Sequence, residues 1–319
     1  MQKFLNITFS TMLEMTRQPV FLILLAGSLV FTVLLASTYY PGIGEDPRVV
    51  KQSVLALIFV TGLFSAALNA SASVAREIRN GTALAVLSKP VGRMRFLLAK
   101  FAGLSLALAL QTGVQLLGAL LASRMAFDAW GSPDWLAIGV MFTALALGFL
   151  VAGAANFFAH RPFTSDAVLA VGGFMLVSFI VINFFNRAGE LQPFGAGVDW
   201  RMIPAVVLIF FALLVLAAVA VACSTRLETV STVVICSGVF LIGLMSDYLF
   251  GRAALHGSLV AGALHTIVPN WQVFWMADAL ADTKFIPWSY VANAAAYVAG
   301  FLIVTLSLAL ALFEDRELN

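Results

Sequence analysis

The residues able to do chemistry in this chain are few and unevenly placed. Between Arg76 and Lys100 it reads REIRNGTALAVLSKPVGRMRFLLAK, which holds six of the 18 Lys and Arg residues, with Glu77 as the one acid. By itself such a stretch, lying between two long apolar runs, reads as a basic loop outside the membrane that holds topology and touches anionic lipid. The residues of the common hydrolytic reactions are missing: there is no GxxxxGK[ST] phosphate loop, no HExxH and no GxSxG. His160, His256 and His265 have no Cys or carboxylate at ligand spacing, so no metal site is expected. Cys223 and Cys236 fall in apolar runs and form neither a CxxC pair nor a disulfide framework. What remains is uncharged polarity within apolar stretches: Asn69, then Gln111 and Gln115 one turn apart, then Asn156 and Asn183. Such side chains are by default interhelical hydrogen-bonding groups, and the alternative is that they face a translocation path. No ionisable residue falls at the middle of an apolar stretch, and Asp247 lies near the end of one.

The elements that must position these groups follow from composition. A chain of 319 residues that is 61% hydrophobic and 11% charged has more apolar surface than one soluble core can hide, so it is a membrane protein. A net charge of +2 gives no reason to expect a nucleic-acid partner. Met1 to Gln18 carries Phe4, Leu5, Phe9, Met12 and Leu13 at helical spacing among polar residues, which suits a helix lying in the membrane interface. Candidate spans follow at Val20–Tyr40, Gln52–Val74, Phe101–Ser123, Trp135–Phe158, Asp166–Phe185, Ile203–Cys223, Thr229–Leu249 and Tyr290–Phe313. The expected fold is all-α: a polytopic helical membrane protein of about eight transmembrane helices, a single domain over 1–319 with both ends on one side. The positive-inside rule puts the 75–100 segment and both termini in the cytoplasm.

Within the charged segment, Asn80-Gly81 stops a helix, Thr82 caps the next, and Ser88-Lys89-Pro90 closes it. The expected order is long helix, turn, short helix, turn, long helix. Trp135–Phe185 and Ile203–Leu249 read as two similar hairpins, through internal duplication or only the economy of short turns. The external segment 250–289 holds Trp271, Phe274, Trp275 and Leu280 at roughly helical spacing. A short helix on the outer surface is expected there, or alternatively a lid over a substrate exit.

The charged segment resembles a family: the permease subunits of bacterial ATP-binding-cassette transporters of the type-2 class. Their second span runs out into a loop of the form E-x-x-x-G-T-x-x-x-L-x-S-K-P-x-x-R-x-x-x-x-x-x-K, matched here by Glu77, Gly81, Thr82, Ser88, Lys89, Pro90, Arg93 and Lys100, with Leu87 one place after the pattern's Leu. Phe313, Arg316 and Leu318 are similar to the F-x-x-R-x-L tail that ends many of these permeases. The family's usual core has six spans, so eight implies an enlarged member or two stretches that do not cross. The resemblance implies that the short helix is a coupling helix docking on a separate ATPase, with Glu77, Arg79, Gly81, Thr82, Leu84, Leu87, Lys89, Pro90 and Arg93 at that contact. It implies a second permease copy, identical or similar, lipid contact, and location in the bacterial cytoplasmic (inner) membrane. This chain itself would bind no cofactor, ATP and Mg being used by the partner, and transport would run outward. The alternatives are a gradient-driven secondary transporter or channel, or a membrane-embedded enzyme.

Overall fold

The computed structural model describes residues 2–38, 46–75, 92–127, 132–255, 257–281 and 284–314. Twelve α-helices occur among them: α1 (Gln2–Thr16), α2 (Pro19–Ser37), α3 (Asp46–Ala70), α4 (Arg93–Met125), α5 (Trp135–Ala159), α6 (Phe163–Ile182), α7 (Met202–Ser224), α8 (Thr229–Leu244), α9 (Arg252–Leu255), α10 (Leu259–Ile267), α11 (Ala277–Ala281) and α12 (Trp288–Glu314). Two turns are π-helical, Ser71–Ala75 after α3 and Asp247–Gly251 after α8. Seven helices are long and apolar enough to cross a membrane. Thr229–Leu244 with Asp247–Leu255, bent by 55° at the break, makes an eighth if the two are one span. This is the expected all-α, polytopic fold.

Local chemistry sets the helix ends. Pro19 opens α2, where a missing N–H costs nothing. Asp134 caps α5 by accepting from the Ala137 N–H at 2.9 Å. His160 ends α5 in the left-handed conformation at φ 51°, and Asn156 Nδ2 donates to the Arg161 carbonyl at 2.6 Å to close the turn into α6. The sixth helix stops at Ile182 rather than Phe185, because Asn183 to Leu191 turns back on itself through a bridge between Phe185 and Leu191. The fourth helix begins eight residues before the apolar stretch at Phe101. Its 33 residues run about 50 Å, against a hydrocarbon core of about 30 Å.

Helices α3, α4 and α7 pack on one another at the centre, with α2 against α3 and α4. The α5–α6 hairpin lies outside α4 and α2, α8 lies against α3 and α7, and α12 lies against α7. Gly148 allows α5 its close approach to α6, because a Cβ there would stand 2.8 Å from Val171 Cα. The two hairpins are therefore not equivalent in the bundle: α7 is central, whereas α5 and α6 are peripheral. Helix α1 lies across the start of α4. Its Thr8 and Thr11 face Gly103, where a Cβ would come within 2.6 Å of both Thr11 Cβ and the Thr8 carbonyl, while Leu5, Phe9 and Leu13 point away and stay exposed. An apolar stripe turned off the protein is what an interfacial helix presents to lipid.

The 250–289 segment departs from a helix resting on the surface. Trp271 and Phe274 are fully buried, and Ala277 and Leu280 nearly so. A 3-10 turn at Trp271–Val273 carries the indole between Phe59 of α3 and Phe240 of α8, at centroid distances of 6.2 and 6.4 Å. Gly243 leaves the room, since a Cβ there would overlap the Trp271 ring. Phe59 is thirteen residues into α3, about 20 Å from its start, so the chain dips well into the bundle. Burying two large aromatic rings stabilises more than leaving them at headgroup level, which is why the segment enters.

At the bundle end opposite the termini, Lys51 of α3 and Arg201 before α7 share Asp199, with Nζ and Nε each 2.7 to 2.8 Å from its oxygens. Burial alone would raise this carboxyl, but the hydrogen bonds from Arg201 and Lys51 outweigh it and hold the pKa at about 2, below its ordinary 3.8. A depressed acid adds stability that is full above its unfolded pKa and is lost as pH falls toward its folded one. Asp199→Asn is therefore expected to cost about 1 to 2 kcal/mol at pH 6. The gap should close between pH 4 and about 2, as followed by thermal unfolding in detergent. A pH-independent difference would refute this reading.

Candidate functional site

The candidate site is the bundle end that carries both termini. Four elements meet there: α1, the π-helical turn after α3, the first turns of α4, and the last turn of α12. Lys100 is the hub. The residue is 4% exposed, and its ammonium donates to Ser73 Oγ at 2.9 Å and stands 3.4 Å from Glu14 Oε2. Ser73 in turn donates to Glu14 Oε2 at 3.3 Å. A cation this buried is kept only when paired and hydrogen-bonded, and here the partners come from α1 and from the end of α3. The π turn, one residue wider than an α turn, also sends Ser71 Oγ to Thr229 Oγ1 at 2.8 Å, tying it to the start of α8.

Arg93, two turns before Lys100 on α4, donates to the Glu314 carbonyl at 2.6 Å and lies 5.9 Å over the Phe313 ring. Phe96 stacks on the same ring at 6.0 Å, and Phe313 is fully buried. Arg226 Nε donates to the Leu312 carbonyl at 2.8 Å. Two guanidinium groups thus satisfy the open carbonyls of the last α12 turn, where positive charge also suits the helix dipole. The two stretches singled out in the sequence, the charged segment and the Phe313 tail, touch through Arg93 and Phe96.

The site lies on both sides of a segment that is not described. Glu77, Arg79, Gly81, Thr82, Leu84, Leu87, Lys89 and Pro90 fall outside the described residues, as do Arg316 and Leu318 of the tail. Of the expected docking residues Arg93 is placed, at the base of the segment. Ser73 belongs with Asn69 and Ser71 to the uncharged polarity of its span, whereas Glu14 is not among the expected site residues. The available signal was that Glu14 is the one Asp or Glu in the first 44 residues.

The five amide side chains do not converge on one path. Gln115 pins three helices, donating to Ser28 Oγ of α2 at 2.6 Å and Thr61 Oγ1 of α3 at 2.9 Å. Those hydroxyls pass their own protons to the Leu25 and Leu57 carbonyls, at 2.7 and 2.6 Å. Gln111, one turn away, is fully buried. Asn69 hydrogen-bonds within α3 to Ser65 and borders a 170 Å³ cavity with Ser71 and Thr229. Asn156 and Asn183 stand at opposite ends of the α5–α6 hairpin, on the Arg161 and Phe179 carbonyls. Four of the five thus have structural partners: Gln115 between helices, Asn156 across a turn, and Asn69 and Asn183 within their own helices.

Among the described residues no group of three His, Cys, Asp or Glu is placed to hold a metal ion. What the site offers is mechanical: two helix ends that lead into the charged segment, a buried charge joining them, and α1 and the last turn of α12 fastened beside them. No curated protein sequence matches the chain. The family model described as ABC-2 family transporter protein matches residues 2–192, which is more than half of the chain and takes in α1 to α6 with the whole charged segment. The chain belongs to the ABC-2 transporter family, as a multi-pass membrane permease.

Proposed function

We propose that this chain is the permease subunit of an ATP-driven exporter, and that it takes its energy from a separate ATP-binding-cassette ATPase docked on the segment between α3 and α4. The observation that carries the reading is the Glu14–Lys100–Ser73 cluster, which joins the elements entering and leaving that segment to each other and to α1. A push on residues 76–91 would be passed to α3 and α4 together, and these are the helices at the centre of the bundle. ATP and Mg would be bound and used by the partner. The permease would pair with a second copy, identical or similar, and contact lipid. It would sit in the bacterial inner membrane with both termini and the docking segment in the cytoplasm, which agrees with the excess of Lys and Arg there.

Removing Thr82–Leu87, or replacing Glu77 and Arg79 together, is expected to abolish co-purification of the ATPase and its stimulation by the permease while the chain still inserts. Unchanged stimulation after the deletion would sink the docking assignment. Arg93→Ala should leave the ATPase bound but weaken coupling, since Arg93 holds the α12 end.

A further inference from the structure

A cavity of 1110 Å³ touches the docking end of the bundle only at its rim, where Arg226 and Leu312 line it. It is a groove between α7 and α12, apolar along Val219, Phe301, Val304 and Leu308, and it ends at Arg226 on the side of the termini. Its size exceeds the roughly 300 to 1,000 Å³ of common small-molecule pockets. Val304 and Leu308 are more than half exposed, so in a membrane protein the groove opens toward hydrocarbon.

Its other end is polar. His265, Asn270 and Tyr297 line it, and Asp247 Oδ1 takes His265 Nε2 at 2.9 Å and Asn270 Nδ2 at 2.7 Å. Tyr297 Oη accepts from the Asn270 N–H at 3.1 Å. His265 also lines a second cavity of 650 Å³, together with Asp247 and Arg252. These last two stand one π turn apart, the Arg252 N–H donating to the Asp247 carbonyl. They carry opposite charge into the same cavity without meeting: the Arg252 guanidinium lies 5.3 Å over the Tyr248 ring, and the Asp247 carboxylate, nearly half exposed, faces His265 and Asn270. An anionic and a cationic group side by side in one cavity, with an apolar groove leading away past a shared histidine, describe one kind of occupant.

We propose that the two cavities form a binding site for a zwitterionic phospholipid, with its ammonium on Asp247, its phosphate on Arg252, and an acyl chain laid along α12 in the groove. The pairing of charges selects a headgroup that carries both signs, since an anionic lipid would leave Asp247 facing a like charge. The bend after α8 is what the site requires of the fold, because it turns Asp247 and Arg252 toward α10 instead of letting α8 run straight.

The test is native mass spectrometry of the full chain in detergent, titrated with phosphatidylethanolamine or with phosphatidylglycerol of the same acyl chains. Wild type should retain phosphatidylethanolamine preferentially, and Asp247→Asn and Arg252→Gln should each weaken that binding about tenfold, the value of one charge-assisted headgroup contact. Gly300→Trp should do the same from the other end. Gly300 lines the groove and a Cβ there meets nothing within 4 Å, so the indole fills the groove without straining the helix. Equal retention of the two lipids by wild type overturns the headgroup assignment, and undiminished binding in Gly300→Trp overturns the groove. Disulfide cross-linking of Val304→Cys between copies in the membrane would overturn the proposal as a whole, by placing a second chain where the lipid is assigned. None of these readouts depends on ATP hydrolysis, so they stand or fall apart from the docking reading.

Discussion

Replacing Asp134 with alanine is expected to destabilise the permease by about 4 kcal/mol, the largest effect of any single substitution considered. Asp134 is fully buried and Arg124 is 3% exposed, with Nε to Oδ2 at 2.5 Å. Removing the acid strands a guanidinium that then keeps only the Ile182 carbonyl at 2.7 Å among its charged and strong partners. It also removes the α5 cap, worth about 1 kcal/mol alone. Arg124 belongs to α4, Asp134 opens α5 and Ile182 ends α6, so the pair is the clasp that holds the peripheral hairpin on the bundle. The loss should therefore be local as well as global. In a background with Cys223 and Cys236 replaced, a cysteine at Met141, buried against Gly118 of α4, should become reactive in Asp134→Ala and stay protected otherwise. Asp134→Asn, which keeps the cap but not the charge, should fall between. Unfolding within 1 kcal/mol of wild type would show that the clasp contributes little.

The second large effect is an asymmetry. Glu14→Gln takes a carboxylate away from Lys100, a residue only 4% exposed, at a cost of about 2 kcal/mol. Lys100→Met leaves Glu14, whose side chain is 34% exposed and reaches water, so it should cost about 1 kcal/mol or less. The two changes together should cost less than the sum of the single ones, because each severs the same ion pair. Thermal unfolding of the three variants in detergent checks the order. Stimulation of the partner ATPase should follow the same order if α1 steadies the docking segment. A Lys100→Met variant worse than Glu14→Gln would refute this order.

Much of this was legible in the chain itself, for a physical reason. A bilayer demands about 20 apolar residues per span and gives the backbone no other way to satisfy its hydrogen bonds than a helix, so span positions can be read directly. The charged segment, forced out of the membrane, carried the family resemblance. The partners across helices were not legible. In soluble proteins an apolar stripe says which face turns inward, but α2 and α7 are apolar all round, so nothing marks their buried side, whereas in α5 the small residues Gly148 and Ala152 do. That is why Gln115 could be noticed without its partners Ser28 and Thr61, and Lys100 without Glu14. The fate of Trp271 depended on a glycine 28 positions earlier, and no periodicity in the 250–289 segment could announce it.

By itself, then, the amino-acid sequence determined that this is a helical membrane protein, where its spans lie and which loop is charged, because those follow from hydropathy and from the cost of burying charge. Only the tertiary structure decided that the loop's last lysine is buried against the N-terminal helix and that the tail is held by Arg93. It also decided that the aromatic segment enters the bundle to leave a polar cluster at the head of an apolar groove. These are pairings between residues far apart in the chain, and they exist only once the helices have chosen their neighbours.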